Sequence, residues 1–190
     1  MSHKQLVIAI CGGKGCGKDT IAHLIEKHYD NFVSLKFASK LKEITQYIFQ
    51  FTNNQIEHHT EKETIDKRWG ITPRQAMQFI GTEMFQFKIQ ELCPVLERNV
   101  WVNALIHEIK QKYYSKKIVI SDFRFLHEYH ALKNDPRFHC VCIRIDRNTK
   151  QHDNHSSEQE FEQIPCDYII DNNGGITHLQ KQVFNIMQQL

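Results

Sequence analysis

Gly12-Gly13-Lys14-Gly15-Cys16-Gly17-Lys18-Asp19-Thr20 is the stretch that decides how this chain is read. It has the form G-x-x-x-x-G-K, and its flanks matter as much as its letters. Before it lies a short apolar run, Leu6–Cys11, with the character of a buried strand. After it, Lys18–Tyr29 places Ile21, Ala22, Leu24, Ile25 and Tyr29 roughly on one helical face. Strand, loop and helix in this order form the setting in which such a loop cradles phosphate. Glycines let the backbone turn tightly, so that successive N–H groups and the helix N-terminus face an anion, and Lys18 adds a mobile positive charge. Without that setting the same letters would be a glycine-rich turn. Lys18, Asp19 and Thr20 are the residues whose chemistry bears on a bound phosphate. Asp19 stands where Ser or Thr usually ligates Mg²⁺. A carboxylate there repels a triphosphate unless a metal or water intervenes, so Asp19 is expected to meet magnesium through water. Thr20 is placed to reach an inner phosphate.

Outward from the loop, short apolar runs alternate with helical patterns. Phe32–Phe37 reads as a second strand and Leu41–Phe51 as a second helix. Residues 52–71 are polar and read as an irregular insert. Thr72-Pro73 opens a helix running to about Ile89, because Thr can cap and Pro is tolerated at the first position. Another helix covers Trp101–Tyr113. Lys117–Ser121, Cys140–Asp146 and Tyr168–Asp171 are the remaining strands. A short helix near Leu126–Lys133 follows the first of these, and a closing helix follows the last. This alternation predicts one α/β domain over residues 1–190, a mostly parallel sheet covered by helices on both faces.

Composition bounds the function classes. The chain has 190 residues, 41% hydrophobic and 24% charged, the proportions of an ordinary globular protein rather than a disordered or fibrous one. A net charge of +2 is too mild to argue for nucleic-acid binding. No apolar run is long enough to span a membrane, and the N-terminus lacks the pattern of a signal peptide. Six scattered cysteines without a Cys-x-x-Cys pair fit a reducing, cytoplasmic setting. Residues 151–171 carry six acids and no Lys or Arg, which leaves 24 basic against 16 acidic residues elsewhere. That imbalance fits polyanion binding by the body of the protein, or simply a solvated acidic surface.

A second constellation follows the Lys117–Ser121 strand. Asp122-Phe123-Arg124 lies at the carboxyl edge of the sheet, where open α/β sheets bind ligands. There Arg124 can grip a phosphate bidentately and Asp122 can hold a metal-bound water or an acceptor group. As a surface ion pair the same residues would be unremarkable. With the Gly-Lys-Asp-Thr of the loop, these residues belong to a set that recurs in order. The set includes Thr72-Pro73-Arg74-Gln75-Ala76-Met77-Gln78-Phe79-Ile80-Gly81-Thr82-Glu83, Trp101-Val102-Asn103-Ala104 and Ile120-Ser121-Asp122-Phe123-Arg124-Phe125. It continues with His155-Ser156-Ser157-Glu158 and Asp167-Tyr168-Ile169-Ile170-Asp171-Asn172-Asn173-Gly174. Together they resemble the bacteriophage-type deoxynucleoside monophosphate kinases of the P-loop nucleoside monophosphate kinase group, over nearly the whole chain.

The resemblance implies a three-layer P-loop sandwich with a five-stranded parallel sheet in the order 2-3-1-4-5. It implies an acceptor-binding region near 52–71 and a small lid near 147–166. The implied reaction is transfer of the ATP γ-phosphoryl group to a deoxynucleoside 5′-monophosphate, with Mg²⁺. Carried over by position, Gly15, Gly17, Lys18, Asp19 and Thr20 hold ATP together with Arg144, and Lys18, Asp122 and Arg124 are the catalytic residues. Lys14, Lys42, Arg74, Gly81, Thr82, Trp101, Asp122, Arg124 and Glu128 form the monophosphate side. Phe125 stands where such kinases can offer a polar residue to the base, which leaves the preferred base open. Trp101 offers a flat face to a base or is a core residue.

Two other functions remain open at this level. One is a P-loop kinase for another small molecule, of the dephospho-coenzyme A or phosphomevalonate type, which the Arg74 helix and Trp101 disfavour. The other is a nucleotide-binding regulatory protein without turnover, against which Lys18, Asp122 and Arg124 speak. The twelve histidines include His58-His59, His127-x-x-His130 and His152-x-x-His155, but none has Cys partners at zinc spacing. Cys140 and Cys142 point the same way from one strand, into packing. His155, Ser156 and Glu158 open the lid helix as a capping box or take part in closure over nucleotide. Phe79, Phe85 and Phe87 supply either a homodimer face or a core.

Overall fold

The structure is a computed structural model that describes residues 4–148 and 160–190. The chain divides into two compact units, one formed by residues 1–36 with 108–190, the other by residues 37–107. The lid expected near 147–166 falls mostly outside the described residues, as do His152, His155, Ser156 and Glu158.

The first unit is built on five parallel strands: β1 (Gln5–Cys11), β2 (Phe32–Leu35), β3 (Lys117–Ile120), β4 (Phe138–Asp146) and β5 (Tyr168–Asp171). Their order across the sheet is β2-β3-β1-β4-β5, the expected P-loop arrangement. β1 is the central strand, pairing Ala9 with Ile120 on one side and Cys11 with Arg144 on the other. Buried on both faces, it reads as one continuous apolar run from Val7 to Cys11. Ile8 and Ile10 pack with Val119, Val141, Ile143, Ile145 and Ile170 beneath α1 (Lys18–His28) and the closing helix Ile176–Met187. From α1 come Ile21, Ala22, Leu24 and Ile25, the face its periodicity predicts, and from the closing helix Leu179, Val183 and Ile186. The helix Leu126–Lys133 packs against β4 and buries Leu132.

The second unit is helical. α2 spans Ala38–Phe49, three residues earlier at its start than the periodicity suggests. The segment 52–71, expected to be irregular, is instead ordered by local chemistry. Thr52 caps a short helix, Asn53–Glu57, in a reciprocal capping box with Gln55, and His59–Lys62 adds a further turn. Ile56 is buried with Phe51, Ala76 and Met77. Asp66, also buried, receives Arg68 at 2.7 and 3.0 Å and Gln55 at 2.8 Å. Those bonds hold its carboxyl well below the usual range despite the opposing cost of desolvation. An antiparallel bridge between Asp66 and Ile71 closes the segment. Polar composition hid this order because its few apolar anchors are spaced too irregularly to make a periodic signal.

The helix expected from Thr72 to Ile89 is realised in three pieces. Thr72 and Gln75 form a second capping box ahead of Pro73–Gln78. The winding then widens to a π-helix over Phe79–Lys88 before a last turn, Ile89–Leu92. The Gly81 carbonyl in the widened part accepts the Trp101 indole N–H at 2.9 Å. A partner from outside the ladder suits a stretch where regular i→i+4 bonding has given way. Trp101 lies in the first turn of the helix Val100–Lys112.

Ile56 is the apolar anchor of the 52–71 segment. Ile56→Ala should cost about 2–5 kcal/mol of stability, read from urea unfolding, if that segment is folded as described.

Candidate active site

The phosphate loop leaves the end of β1 in a backbone that only glycine adopts easily. Gly12 has φ +143°, and a β carbon on it would stand 2.7 Å from the Ile145 carbonyl oxygen and 2.8 Å from Cys16 Sγ. Gly17, at φ +108°, is the residue before α1, and a β carbon there would meet Asn172 Nδ2 at 2.5 Å. That same Asn172 nitrogen donates to the Cys16 carbonyl at 2.7 Å, tying the far side of the loop to the end of β5. The Lys18 ammonium, buried, donates to the carbonyls of Gly12 at 2.6 Å and Gly13 at 2.8 Å. A positive charge is thus held within the loop beside the first-turn N–H groups of α1, which have no intrahelical acceptors.

Asp19, in that first turn, accepts a hydrogen bond from Ser121 Oγ at 2.7 Å and an ion pair from Lys36 at 2.7 Å. Partial desolvation works against its ionisation. The hydrogen bonds from Lys36 and Ser121, with the charges of Lys36 and Lys18, outweigh it and hold the carboxyl below its ordinary value. An ionised carboxylate beside a hydroxyl is a hard-oxygen donor set, which fits Mg²⁺. Thr20 is exposed on the same turn, and Lys14 is half-buried in the loop.

β3 ends beside β1, so Ser121 and the residues after it emerge at the same sheet edge as the loop. Burial alternates from Ser121 to Phe125, with Ser121, Phe123 and Phe125 inside. An extended chain with that alternation brings Asp122 and Arg124 out on one side. Glu128 secures this turn from below. Its Oε2 accepts the backbone N–H of Arg124 at 2.8 Å and of Phe125 at 2.9 Å. Burial raises the Glu128 carboxyl to about 8, against those two N–H groups, which favour the anion; the Asp122 charge adds to the rise. Arg144, half-buried on β4, donates to Asp146 at 3.1 Å, while Arg147 reaches the Gly15 carbonyl at 3.3 Å.

In the second unit, Lys42 pairs with Glu57 at 2.7 Å, and Arg74 pairs with Glu63. Lys62 lies close enough to both cations that desolvation first, then the charges of Lys42 and Arg74, lower its ammonium pKa. Three cations are gathered there against two carboxylates. Gly81 is buried with Leu41 Cδ2 2.6 Å from where its β carbon would lie, so α2 and the π-helix meet closely at this point. Thr82 is half-buried beside it. Trp101 is buried and packs edge-on against Phe85, ring centroids 5.3 Å apart.

Residues 48–183 match the deoxynucleotide monophosphate kinase family. The chain is also 32% identical, over 95% of its own length and 95% of the relative's, to a protein of Acanthamoeba polyphaga mimivirus named "Putative deoxynucleotide monophosphate kinase". The chain belongs to the deoxynucleotide monophosphate kinase family. Among solved structures, TT1252 from Thermus thermophilus shares the fold, with a TM-score of 0.50 and 14% identity over 99% of both chains. The dephospho-CoA kinase from Campylobacter jejuni overlaps less well, with a TM-score of 0.44 and 12% identity over 96% of both.

This kinase is therefore a phosphotransferase of nucleotide chemistry. Its sheet brings the loop residues Lys14 to Thr20 to one edge with Asp122 and Arg124. Arg144 lies one strand over from the loop, with its guanidinium on Asp146. In the second unit Lys42 and Arg74 cluster with Lys62, and Trp101 bonds to Gly81, the neighbour of Thr82. Lys36, Ser121, Arg147 and Asn172 all touch the loop or Asp19, and Lys62 joins Lys42 and Arg74. None of these five was singled out from sequence. Asn172 and Ser121 stood inside quoted motifs and Lys36 near a strand end; Arg147 and Lys62 carried no local signal.

Glu128 makes stability depend on pH. The folded chain keeps a proton that the unfolded chain gives up above the ordinary value of 4.5, so stability is full below that pH and falls as pH rises through about 8. Urea unfolding at pH 5 and pH 8 should show this decline, a few kcal/mol at ~1.4 kcal/mol per pKa unit. Glu128→Gln, which keeps the acceptor but cannot ionise, should flatten it.

Proposed function

We propose that this chain transfers the γ-phosphoryl group of ATP to a deoxynucleoside 5′-monophosphate, giving the diphosphate. One observation carries the reading. The Lys18 ammonium is held inside a glycine-built loop at the sheet edge where Asp122 and Arg124 emerge together. Membership of the family supplies the acceptor class.

The chemistry asks little of a base. A monophosphate has its second pKa near 6, so its attacking oxygen is largely ionised at neutral pH. Positioning and neutralisation of crowded negative charge are what the reaction needs. Loop N–H groups, Gly15, Gly17 and Thr20 bind the ATP phosphates, and Lys18 balances charge on the transferring group. Arg144 and Arg147 serve the same nucleotide from β4 and its end. Asp19, with Ser121, would hold Mg²⁺ through retained water, and the ion would supply neutralisation of the phosphate oxygens. Arg124 grips phosphate oxygens on the acceptor side, Asp122 orients the acceptor, and Glu128 is a positioning residue that fixes Arg124. Lys14, Lys42, Lys62 and Arg74 supply cations for the monophosphate, with Gly81, Thr82 and Trp101 shaping its surroundings. These roles treat residues 1–190 as one working kinase with a lid near 147–166, acting in the cytoplasm.

Exposed Phe79, Met84 and Phe87 on the π-helix support self-association through that face. Sedimentation velocity should then show a dimer that Phe87→Asp dissociates; a wild-type monomer at all concentrations would remove this part of the reading.

The central test is a coupled assay with ATP and Mg²⁺ across the four deoxynucleoside monophosphates, the matching ribonucleotides and dephospho-coenzyme A. Turnover should be confined to deoxynucleotides. Lys18→Ala should lower kcat/KM by ~10³-fold or more without loss of fold. Arg124→Ala should impair acceptor use by a comparable factor and leave ATP affinity intact. Turnover with dephospho-coenzyme A alone, or near wild-type activity in Lys18→Ala, would reject the assignment.

A further inference from the structure

Three cysteines from separate parts of the sequence meet beneath the phosphate loop. Cys11 ends β1, Cys142 lies within β4, and Cys166 stands in the approach to β5. Their sulfurs are 4.0 Å (Cys11–Cys142), 3.5 Å (Cys11–Cys166) and 3.4 Å (Cys142–Cys166) apart. The first two are buried and Cys166 is half-buried, so the cluster is closed on the sheet side and approached from Cys166. All six cysteines are free thiols.

The register explains the convergence. Cys11 pairs with Arg144, and Cys142 lies two residues earlier on the same strand, so both side chains leave the same face of the sheet. Asp167 clips the preceding turn onto β4, its N–H donating to the Cys142 carbonyl at 2.9 Å and its carboxylate accepting the Cys142 N–H at 2.8 Å. That clip delivers Cys166 to the other two.

We propose that Cys11, Cys142 and Cys166 form a binding site for one thiophilic d¹⁰ cation, Zn²⁺ or Cu⁺. Buried cysteines often serve only as small apolar side chains. Packing, however, does not require three sulfurs to share a common centre. The three separations define a point ~2.1 Å from every sulfur, and a cation ~0.9 Å out of their plane would meet all three at the ~2.3 Å zinc–sulfur distance. Cu⁺ would take the three sulfurs alone, whereas Zn²⁺ would add a fourth ligand from the Cys166 side. Binding exchanges three S–H bonds for three sulfur–metal bonds and releases the protons to solvent, with no change of oxidation state. Arg144 lies within electrostatic reach of Cys11 and Cys166 and offsets the negative charge of a tris-thiolate centre. Cys11 directly precedes Gly12, so a bound cation would fasten the base of the phosphate loop to β4 and to the approach to β5.

The test uses the full chain, stripped with a chelator and kept reduced by a phosphine. Co²⁺ serves as the spectroscopic probe for the Zn²⁺ arm, and a chromophoric Cu⁺ chelator provides competition for the Cu⁺ arm. One equivalent per chain should bind in at least one arm, and Co²⁺ bound there should show a sulfur-to-metal charge-transfer band, which surface histidines cannot produce. Cys166→Ser, at the half-buried position least costly to folding, should weaken binding by more than the ~10–100-fold typical of losing an outer-shell partner. Cys11→Ala should do the same, and Cys93→Ser, outside the cluster, should change nothing. Failure of both cations to bind would overturn the site. So would Co²⁺ binding without the sulfur band in the absence of Cu⁺ uptake, or unchanged affinity in folded Cys166→Ser.

Discussion

Gly12 lies where a side chain has no room. A β carbon there would press on the Ile145 carbonyl oxygen at 2.7 Å and on Cys16 Sγ at 2.8 Å. Because the Ile145 oxygen is backbone, a larger residue there would push β1 away from β4 at the carboxyl edge. The close approach turns the chain sharply out of the sheet, brings the Gly12 and Gly13 carbonyls round the Lys18 ammonium, and starts α1 with its N–H groups aimed into the loop. Lys18 and Asp19 take their positions from that one turn, and Ser121 and Asn172 meet it from the ends of β3 and β5.

Around it, charge is distributed so that each group near the loop has a defined partner. Asp19 carries its negative charge between Ser121 and Lys36, and the Asp122–Arg124 turn is pinned by a carboxyl that burial keeps substantially protonated. Glu128 can therefore fix the Arg124 backbone without placing a full negative charge close to the Arg124 guanidinium. In the second unit the balance tips the other way. Lys42, Lys62 and Arg74 crowd together beside Glu57 and Glu63, and desolvation first, then the charges of Lys42 and Arg74, depress the Lys62 ammonium.

Much of this was legible in the order of residues. The glycine spacing, the apolar run before it and the helical face after it are local signals; alternation gave a mostly parallel sheet, and the strand order came from the resemblance. Lys18, Asp122 and Arg124 were visible because the chemistry needs those residue types at a sheet edge. The 52–71 segment was not, because its order rests on two short capping turns, the buried Asp66 and one buried isoleucine rather than on a periodic pattern. The π-helix was equally hidden, since its residues are ordinary helix formers and the competing hydrogen bond comes from Trp101, twenty positions from Gly81.

What the sequence determined by itself is what short-range physics dictates: a phosphate loop between strand and helix, buried parallel strands, and capped helix starts. Tertiary structure alone decided which distant groups share a place. Lys36 and Ser121 reach Asp19, and Asn172 reaches the loop, because β1, β2, β3 and β5 end at one edge. Cys11, Cys142 and Cys166, separated by up to 155 positions, touch because β4 lies between β1 and β5. Spacing along a chain cannot carry that information. It is set by strand order and register, which depend on the burial of whole faces rather than on any neighbouring residues.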